Sequence, residues 1–298
     1  MKKITTDSGQ FNRRIEKYYR THGRHDLPWR KTTDPYKILI SEIMLQQTQV
    51  ARVEGFYKKF LKQFPDFKAL AKADTASVLN AWQGLGYNRR ALALKKTAEV
   101  VVKEYRGNLP ADREELEKLP GIGRGTSGSL MAFAFNKPAI FIETNIRRVF
   151  IQFFFPRARK AVTDVAIERY MECTINKKHP REWYWALMDY GAAMATRKQD
   201  GEIFKNPNQK SAHYKKQCAF RGSDREARGK IVRYLLTQRM KSGNGQMDGE
   251  RMKMINTFSM SDITKITNIP NERLHGILSR LVKEGFIIEK GNSFSIKK

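Results

Sequence analysis

Residues 38–50 read ILISEIMLQQTQV, apolar around most of a helical circumference, with one acid, Glu42, in the middle. A helix of that composition belongs in a protein interior. Glu42, Gln46 and Gln49 recur at i, i+4 and i+7 and so make one narrow polar stripe. Two readings fit the stripe. It is either the solvent edge of an amphipathic helix, or a carboxyl held in a low-dielectric wall by Ile43 and Leu45, its pKa raised towards that of a general acid. Exposed helix faces elsewhere in the chain carry Lys and Arg, whereas this stripe carries amides, which favours the second reading. A second carboxylate, Glu143, stands in the run IETNIRR at 142–148, an apolar-flanked helix start with capping chemistry at Thr144 or Asn145. A proton donor and a second carboxylate are the equipment for hydrolysing a glycosidic bond.

A third group of residues binds rather than reacts. Leu119, Pro120, Gly121, Ile122 and Gly123 lie between a charged helix at 113–118 and an apolar one starting near Thr126. Two glycines around an apolar residue permit a tight turn with unusual backbone angles, while Ile122 pins the turn to the core. The amides that follow open onto a helix N-terminus, where unpaired donors and the helix dipole favour a phosphate. This helix-hairpin-helix pattern anchors a nucleic-acid backbone without reading its sequence.

The charge balance agrees. The 298 residues hold 57 Lys and Arg against 30 Asp and Glu, a formal charge of +27. An excess that large opposes compaction and is explained by a polyanionic partner, nucleic acid ahead of an anionic membrane surface. With 40% hydrophobic and 11% aromatic residues the chain folds, and is not a disordered basic tail. Two cysteines, Cys173 and Cys218, exclude a disulfide framework and an all-cysteine four-ligand site within the chain, and the five histidines show no metal-ligand spacing. No stretch reaches the roughly 18 apolar residues of a membrane span. Residues 1–10 lack the apolar core of a secretory signal, so a reducing, cytoplasmic setting is expected.

The elements that must position these residues are helical. Three- and four-residue apolar spacing predicts helices over 34–60, 75–83, 90–105, 113–118 and 126–135, in an all-α region ending near residue 196, with prolines between the helices. Residues 197–225 read as a basic linker. From 226 a second module follows: a helix over 231–240, a Gly-rich loop over 241–250, a short helix after Ser261 and Asp262, an amphipathic helix over 272–284, and a hairpin from 286–288 and 294–296. Three helices and a β-hairpin in that order are winged-helix-like, and such a module either enters a DNA groove or acts as a stabilising domain.

Five motifs then carry a resemblance. LPWR at 27–30, ISEIMLQQTQ at 40–49, WQGLGY at 82–87, LPGIGR at 119–124 and ALMDYGA at 186–192 occur, in order and spacing, as in the adenine DNA glycosylases of the helix-hairpin-helix superfamily. The chain resembles that family over about 26–195. The resemblance implies a two-lobed helical fold with DNA crossing the cleft and the target base flipped into a pocket, because the scissile bond is inaccessible in a stacked duplex. It implies that Glu42 protonates adenine and activates water, that Asn145 supports the Glu143 carboxylate, and that Arg30 lines the pocket. Gln47 and Tyr87, with Thr48 and Leu85 beside them, fall on positions that meet the duplex, and Gly121, Ile122, Gly123, Arg124 and Gly125 on the phosphate-binding hairpin. The expected partner is double-stranded DNA holding a mismatched or damaged base, bound by a monomer associated with the nucleoid.

The chain departs from the family pattern in four places. Glu143 stands where the family has Asp, a methylene longer than the tolerance of a preorganised site. Gly125 stands where relatives carry Tyr, Ser or, in lyase-type cousins, Lys; without that amine, base removal without strand cleavage is expected. Ala195 stands at the first of four cluster cysteines and only Cys218 follows, so no iron–sulfur cluster or other cofactor is expected. The usual C-terminal domain that reads 8-oxoguanine is not recognisable. These departures keep two alternatives beside removal of adenine opposite guanine or 8-oxoguanine: removal of thymine, uracil or another deaminated base opposite guanine, and DNA-structure binding without catalysis.

Overall fold

The computed structural model describes residues 2–196, 198–199, 202–203, 206–216, 218–243, 257–291 and 293–297. Compact packing does not follow the linear division at 196 and 225. One unit comprises Met1–Glu42 and Leu109–Lys216, the other Ile43–Asn108 and Gln217–Lys298. The boundary between Glu42 and Ile43 falls inside a helix, α2 (Pro35–Leu45).

The first unit is helical, as the apolar spacing predicts. It holds α1 (Lys2–His22), most of α2, α7 (Arg113–Lys118), α8 (Arg124–Phe133), α9 (Thr144–Phe154), α10 (Asp164–Thr174) and α11 (Pro180–Thr196). Side-chain caps start two of these helices: Asp112 accepts from the Glu114 and Glu115 amides for α7, and Thr163 accepts from the Ala166 amide for α10. Phe11 of α1 meets Phe150, Phe153 and Phe154 of α9 with ring centroids 5.1–5.2 Å apart. Asn12 donates to the Thr174 carbonyl at 2.8 Å and accepts from Trp183 Nε1 at 3.0 Å, satisfying polar groups where α1, α10 and α11 converge. Part of the stretch read as a linker belongs to this unit, with two short strands, β1 (Lys198–Gln199) and β2 (Glu202–Ile203), paired antiparallel. A 3-10 turn, Pro207–Lys210, packs on α9 with Pro207, Asn208 and Ser211 buried.

The second unit joins α3 (Val50–Gln63), α4 (Phe67–Lys72), α5 (Thr75–Ala81) and α6 (Arg89–Glu104) to the C-terminal module. That module has α12 (Asp224–Gly243), α13 (Met260–Thr267), α14 (Asn271–Lys283) and a three-stranded antiparallel sheet. Strand β4 (Ile287–Lys290) pairs with β5 (Ser293–Ile296) in the expected hairpin, with Ile287 opposite Ile296. Strand β3 (Phe258–Ser259), which the sequence reading missed, adds to the other edge of β5, giving the order β3-β5-β4. Helix α12 is longer than the predicted 231–240, and 244–250 of the predicted loop lie outside the described residues, as does Asn292 in the hairpin turn. Helix α13 starts at Met260, so Ser261 and Asp262 lie inside it and not before it; its cap is Ser259, whose hydroxyl accepts from the Asp262 amide while Asp262 answers the Ser259 amide.

The predicted helix over 34–60 is broken. Helix α2 ends at Leu45 and α3 begins at Val50, because Gln47 takes a left-handed backbone (φ 52°) and Gln49 an extended one (φ −68°, ψ 141°). The stripe of Glu42, Gln46 and Gln49 is therefore not continuous.

Candidate active site

Glu42, Glu143, Asn145, Arg30 and the hairpin lie in the first unit; Gln47, Thr48, Leu85 and Tyr87 lie in the second. Within the first, Glu42 is partly buried on the last turns of α2. Burial pushes its carboxyl from the ordinary 4.5 up to about 7; the Ser129 side chain and the charge of Arg30 oppose the rise, and the negative charge of Glu143 adds to it.

Glu143 is itself the N-cap of α9, in place of the expected Thr144 or Asn145. Its Oε1 accepts from the amides of Asn145 (2.8 Å) and Ile146 (3.0 Å), and its Oε2 from Asn145 Nδ2 (3.2 Å). Burial raises the Glu143 pKa, and the two amides, Arg148 and the Asn145 side chain work against that rise. The helix dipole points the same way. The two acids consequently have different surroundings. Glu143 has its charged form held by several donors, whereas Glu42 has one hydroxyl and a more distant cation. Burial thus pushes both carboxyls upward, and of the two Glu143 has more donors to its charged form.

Behind them is a support that the sequence reading did not find. The buried Arg148 donates through Nη1 to Asn145 Oδ1 (2.7 Å) and the Gly191 carbonyl (2.6 Å), and through Nε to Asn206 Oδ1 (2.9 Å). Asn145 is thereby oriented, carbonyl towards Arg148 and amide towards Glu143. A Cβ on Gly191 would lie 2.4 Å from the Asn145 carbonyl oxygen, so only glycine lets α11 approach α9 there. Arg148 follows Asn145 by three residues on one helix face, a spacing that could have signalled the pair.

Arg30 does not present its charge to solvent. Its side chain is 4% exposed and holds Asp189 through two bonds of 2.6 and 2.8 Å, with Trp185 on one side and Tyr19 on another. Arg24 adds a third and fourth contact to the same carboxylate, which together keep the Asp189 pKa low against the effect of burial. The charge of Arg30 also works against the rise of the Glu42 pKa. The sequence reading left Asp189 inside a motif without assigning it a partner.

The hairpin has the expected form. Gly121 adopts φ 79°, the Ile122 amide closes the turn on the Leu119 carbonyl at 3.1 Å, and Leu119 and Ile122 are buried. Gly123 is the N-cap of α8 and makes no side-chain cap bond. Arg124 is exposed, and a Cβ on Gly125 would meet nothing within 4 Å. A cavity of about 360 Å³ adjoins Gly125 and Ile142, with Arg113 and Arg124 in its wall, and includes neither Glu42 nor Glu143.

In the second unit one residue organises the two turns that carry Gln47 and Tyr87. Arg90 donates through Nη1 to the carbonyls of Ile43 (2.8 Å), Met44 (2.9 Å) and Gln46 (2.5 Å), closing the C-terminus of α2. Through Nη2 it reaches Thr48 Oγ1 (3.1 Å), the Leu85 carbonyl (3.3 Å) and the Gly86 carbonyl (3.0 Å). Gln47 and Tyr87, both at positive φ, are the tips of the two turns so joined, and both are exposed, Tyr87 by 39%. Leu85 is 5% exposed, which corrects its expected surface role: it roots the turn in the core and leaves the tip to Tyr87. For the cluster, two cysteines do not supply four thiolates, and no group of three or more potential metal ligands occurs among the described residues.

Comparison with known proteins gives this geometry a context. Residues 40–173 match the family model described as HhH-GPD superfamily base excision DNA repair protein. An adenine DNA glycosylase of Buchnera aphidicola subsp. Baizongia pistaciae is 38% identical over 182 residues, covering 61% of this chain and 52% of that protein. The chain thus spans about half the length of that relative. A thymine/uracil-DNA glycosylase of Pyrobaculum aerophilum is 30% identical over 197 residues, covering 64% of this chain and 86% of that one. The solved structure of a thermostable thymine-DNA glycosylase is 31% identical and superposes with a TM-score of 0.57 over 63% of this chain and 87% of its own. With a relative of that identity spanned over most of its length, and the hairpin and paired carboxyls in place, the chain belongs to the HhH-GPD superfamily of base excision DNA repair proteins.

Proposed function

We propose that the protein is a DNA glycosylase that hydrolyses the N-glycosidic bond of adenine mispaired with guanine or 8-oxoguanine, without lyase activity and without an iron–sulfur cluster. The observation that carries the reading is the Glu42 carboxyl, raised to about 7 beside a second carboxylate capped by α9. At neutral pH a useful fraction of Glu42 is protonated. It gives its proton to a ring nitrogen of a flipped adenine, so that the bond from sugar to base breaks with the electron pair leaving on a neutral base. The Glu143 carboxylate stabilises the cationic sugar. Water then adds at the sugar carbon, and its proton returns to Glu42, leaving an abasic site.

The amides at Gly121, Gly123 and Gly125 take a DNA phosphate at the start of α8, and Gln47 and Tyr87 enter the duplex beside the opposite base. The partner is double-stranded DNA, bound by a monomer in the cytoplasm, at the nucleoid. Duplexes with each single mispair, incubated with protein and then treated with alkali, test the assignment. Strand breaks at adenine opposite guanine or 8-oxoguanine are expected, abolished by Glu42→Gln. An imine trapped by borohydride would overturn the monofunctional reading.

One observation favours a second substrate class. Gly125 leaves open space next to a cavity, and the thymine/uracil-DNA glycosylase relative is spanned over most of its length. Exclusive release of thymine or uracil opposite guanine would establish that reading in place of adenine.

A further inference from the structure

The C-terminal module does not present its third helix, α14, as a free basic surface. Two arginines of α14, Arg273 and Arg280, are tied to Asp224 at the start of α12, at 2.9 and 2.8 Å. Arg228 of α12 pairs with Glu284 just past the end of α14. Those ion pairs fix the first turn of α12, and the next residue along, Arg225, leaves the module. Its Nη1 donates to the Tyr87 hydroxyl at 2.9 Å, while its Nη2 donates to the Cys218 carbonyl at 2.7 Å. Tyr87 is held at a second point: the Arg90 guanidinium lies 5.5 Å from its ring centroid. Arg239 makes a separate ion pair between α12 and Asp74, the cap of α5.

We infer that Arg225 is a positioning residue for Tyr87, so that the winged-helix-like module acts on DNA through the orientation of that ring and not through groove reading by α14. A phenol ring at the tip of a turn can rotate about its first side-chain torsion; a charged hydrogen bond to its hydroxyl from a residue next to Asp224, which two ion pairs hold, removes that freedom. The chain of contacts runs from α14 through Asp224 and Arg225 to Tyr87. The inference rests on the proposal that Tyr87 meets the opposite strand, and it names the residue that sets how it does so.

The test compares Arg225→Ala, Arg225→Lys, Tyr87→Phe and the Ala/Phe double variant, with Arg239→Ala as a docking control. Two readouts are taken: single-turnover base release from mispaired duplexes, and fluorescence of 2-aminopurine placed opposite the target base. Arg225→Ala and Tyr87→Phe should each lower the rate and the 2-aminopurine signal by about tenfold, the loss of one charge-assisted hydrogen bond. The double variant should be no worse than either single, Arg225→Lys should recover most of the loss, and Arg239→Ala should lower the melting temperature alone. Additive losses, or an Arg225→Ala profile equal to that of Arg239→Ala, would overturn the inference. If the parent protein binds duplex DNA but releases no base, the proposed activity fails, and the fluorescence arm still decides the role of Arg225. Failure to bind any duplex sinks both.

Discussion

Replacing Glu42 by Gln should make the protein more stable as well as inactive, and only at one end of the pH scale. The carboxyl keeps its proton in the folded chain up to about pH 7, while in the unfolded chain it loses it near the ordinary 4.5. Between those values the folded state binds more protons, so its stability falls as pH rises and the loss is complete above 7. At about 1.4 kcal/mol per pKa unit, the rise corresponds to about 3 kcal/mol. Gln has the shape of the protonated acid and cannot ionise. Urea unfolding should therefore show Glu42→Gln equal to the parent near pH 4 and up to about 3 kcal/mol more stable near pH 8.5. Base release, measured in the same buffers, should fall at least about a hundredfold in the variant, and in the parent should decline above about pH 7 as the general acid is lost. A gain of the same size at both pH values, or a variant less stable than the parent near pH 8.5, would refute the view that Glu42 is strained by burial.

Three further outcomes follow from the surrounding geometry. Glu143→Ala removes the cap of α9 and should lower stability by about 1–2 kcal/mol while also slowing base release; an unchanged melting curve would show that the cap is not formed in solution. Gly191→Ala sets a methyl 2.4 Å from the Asn145 carbonyl oxygen and should destabilise by about 1–3 kcal/mol, with base release falling further than that of a surface variant of equal melting temperature. Purified protein should be colourless and iron-free by elemental analysis; stoichiometric iron would contradict the donor count.

Much of the helical architecture was legible because its signals are local. The hairpin around Gly121 and Gly123, the burial of 38–44 and the β-hairpin at the C-terminus follow from glycine placement and apolar spacing within a few residues. The two acids were legible as outliers in a basic chain. What escaped depended on partners far along the sequence. The predicted helix over 34–60 breaks where Arg90, more than forty positions away, takes the carbonyls that would have continued it. Arg30, expected to line the pocket, has no visible partner in the sequence until Asp189 is brought against it, and Asn206 reads as linker until Arg148 reaches it. Leu85, in a turn motif, gave no local sign that it faces inward.

Arg90 also has a mechanical consequence. One planar guanidinium spans the turn that ends in Gln47 and the turn that ends in Tyr87, so neither tip can wander without breaking bonds that belong to the other. The pair behaves as a two-tined fork with a fixed gauge. The spacing of the tines is set during folding, and displacing one carries the other with it. Lysine, with a single point of charge in place of a flat five-donor plate, would leave the tines hinged.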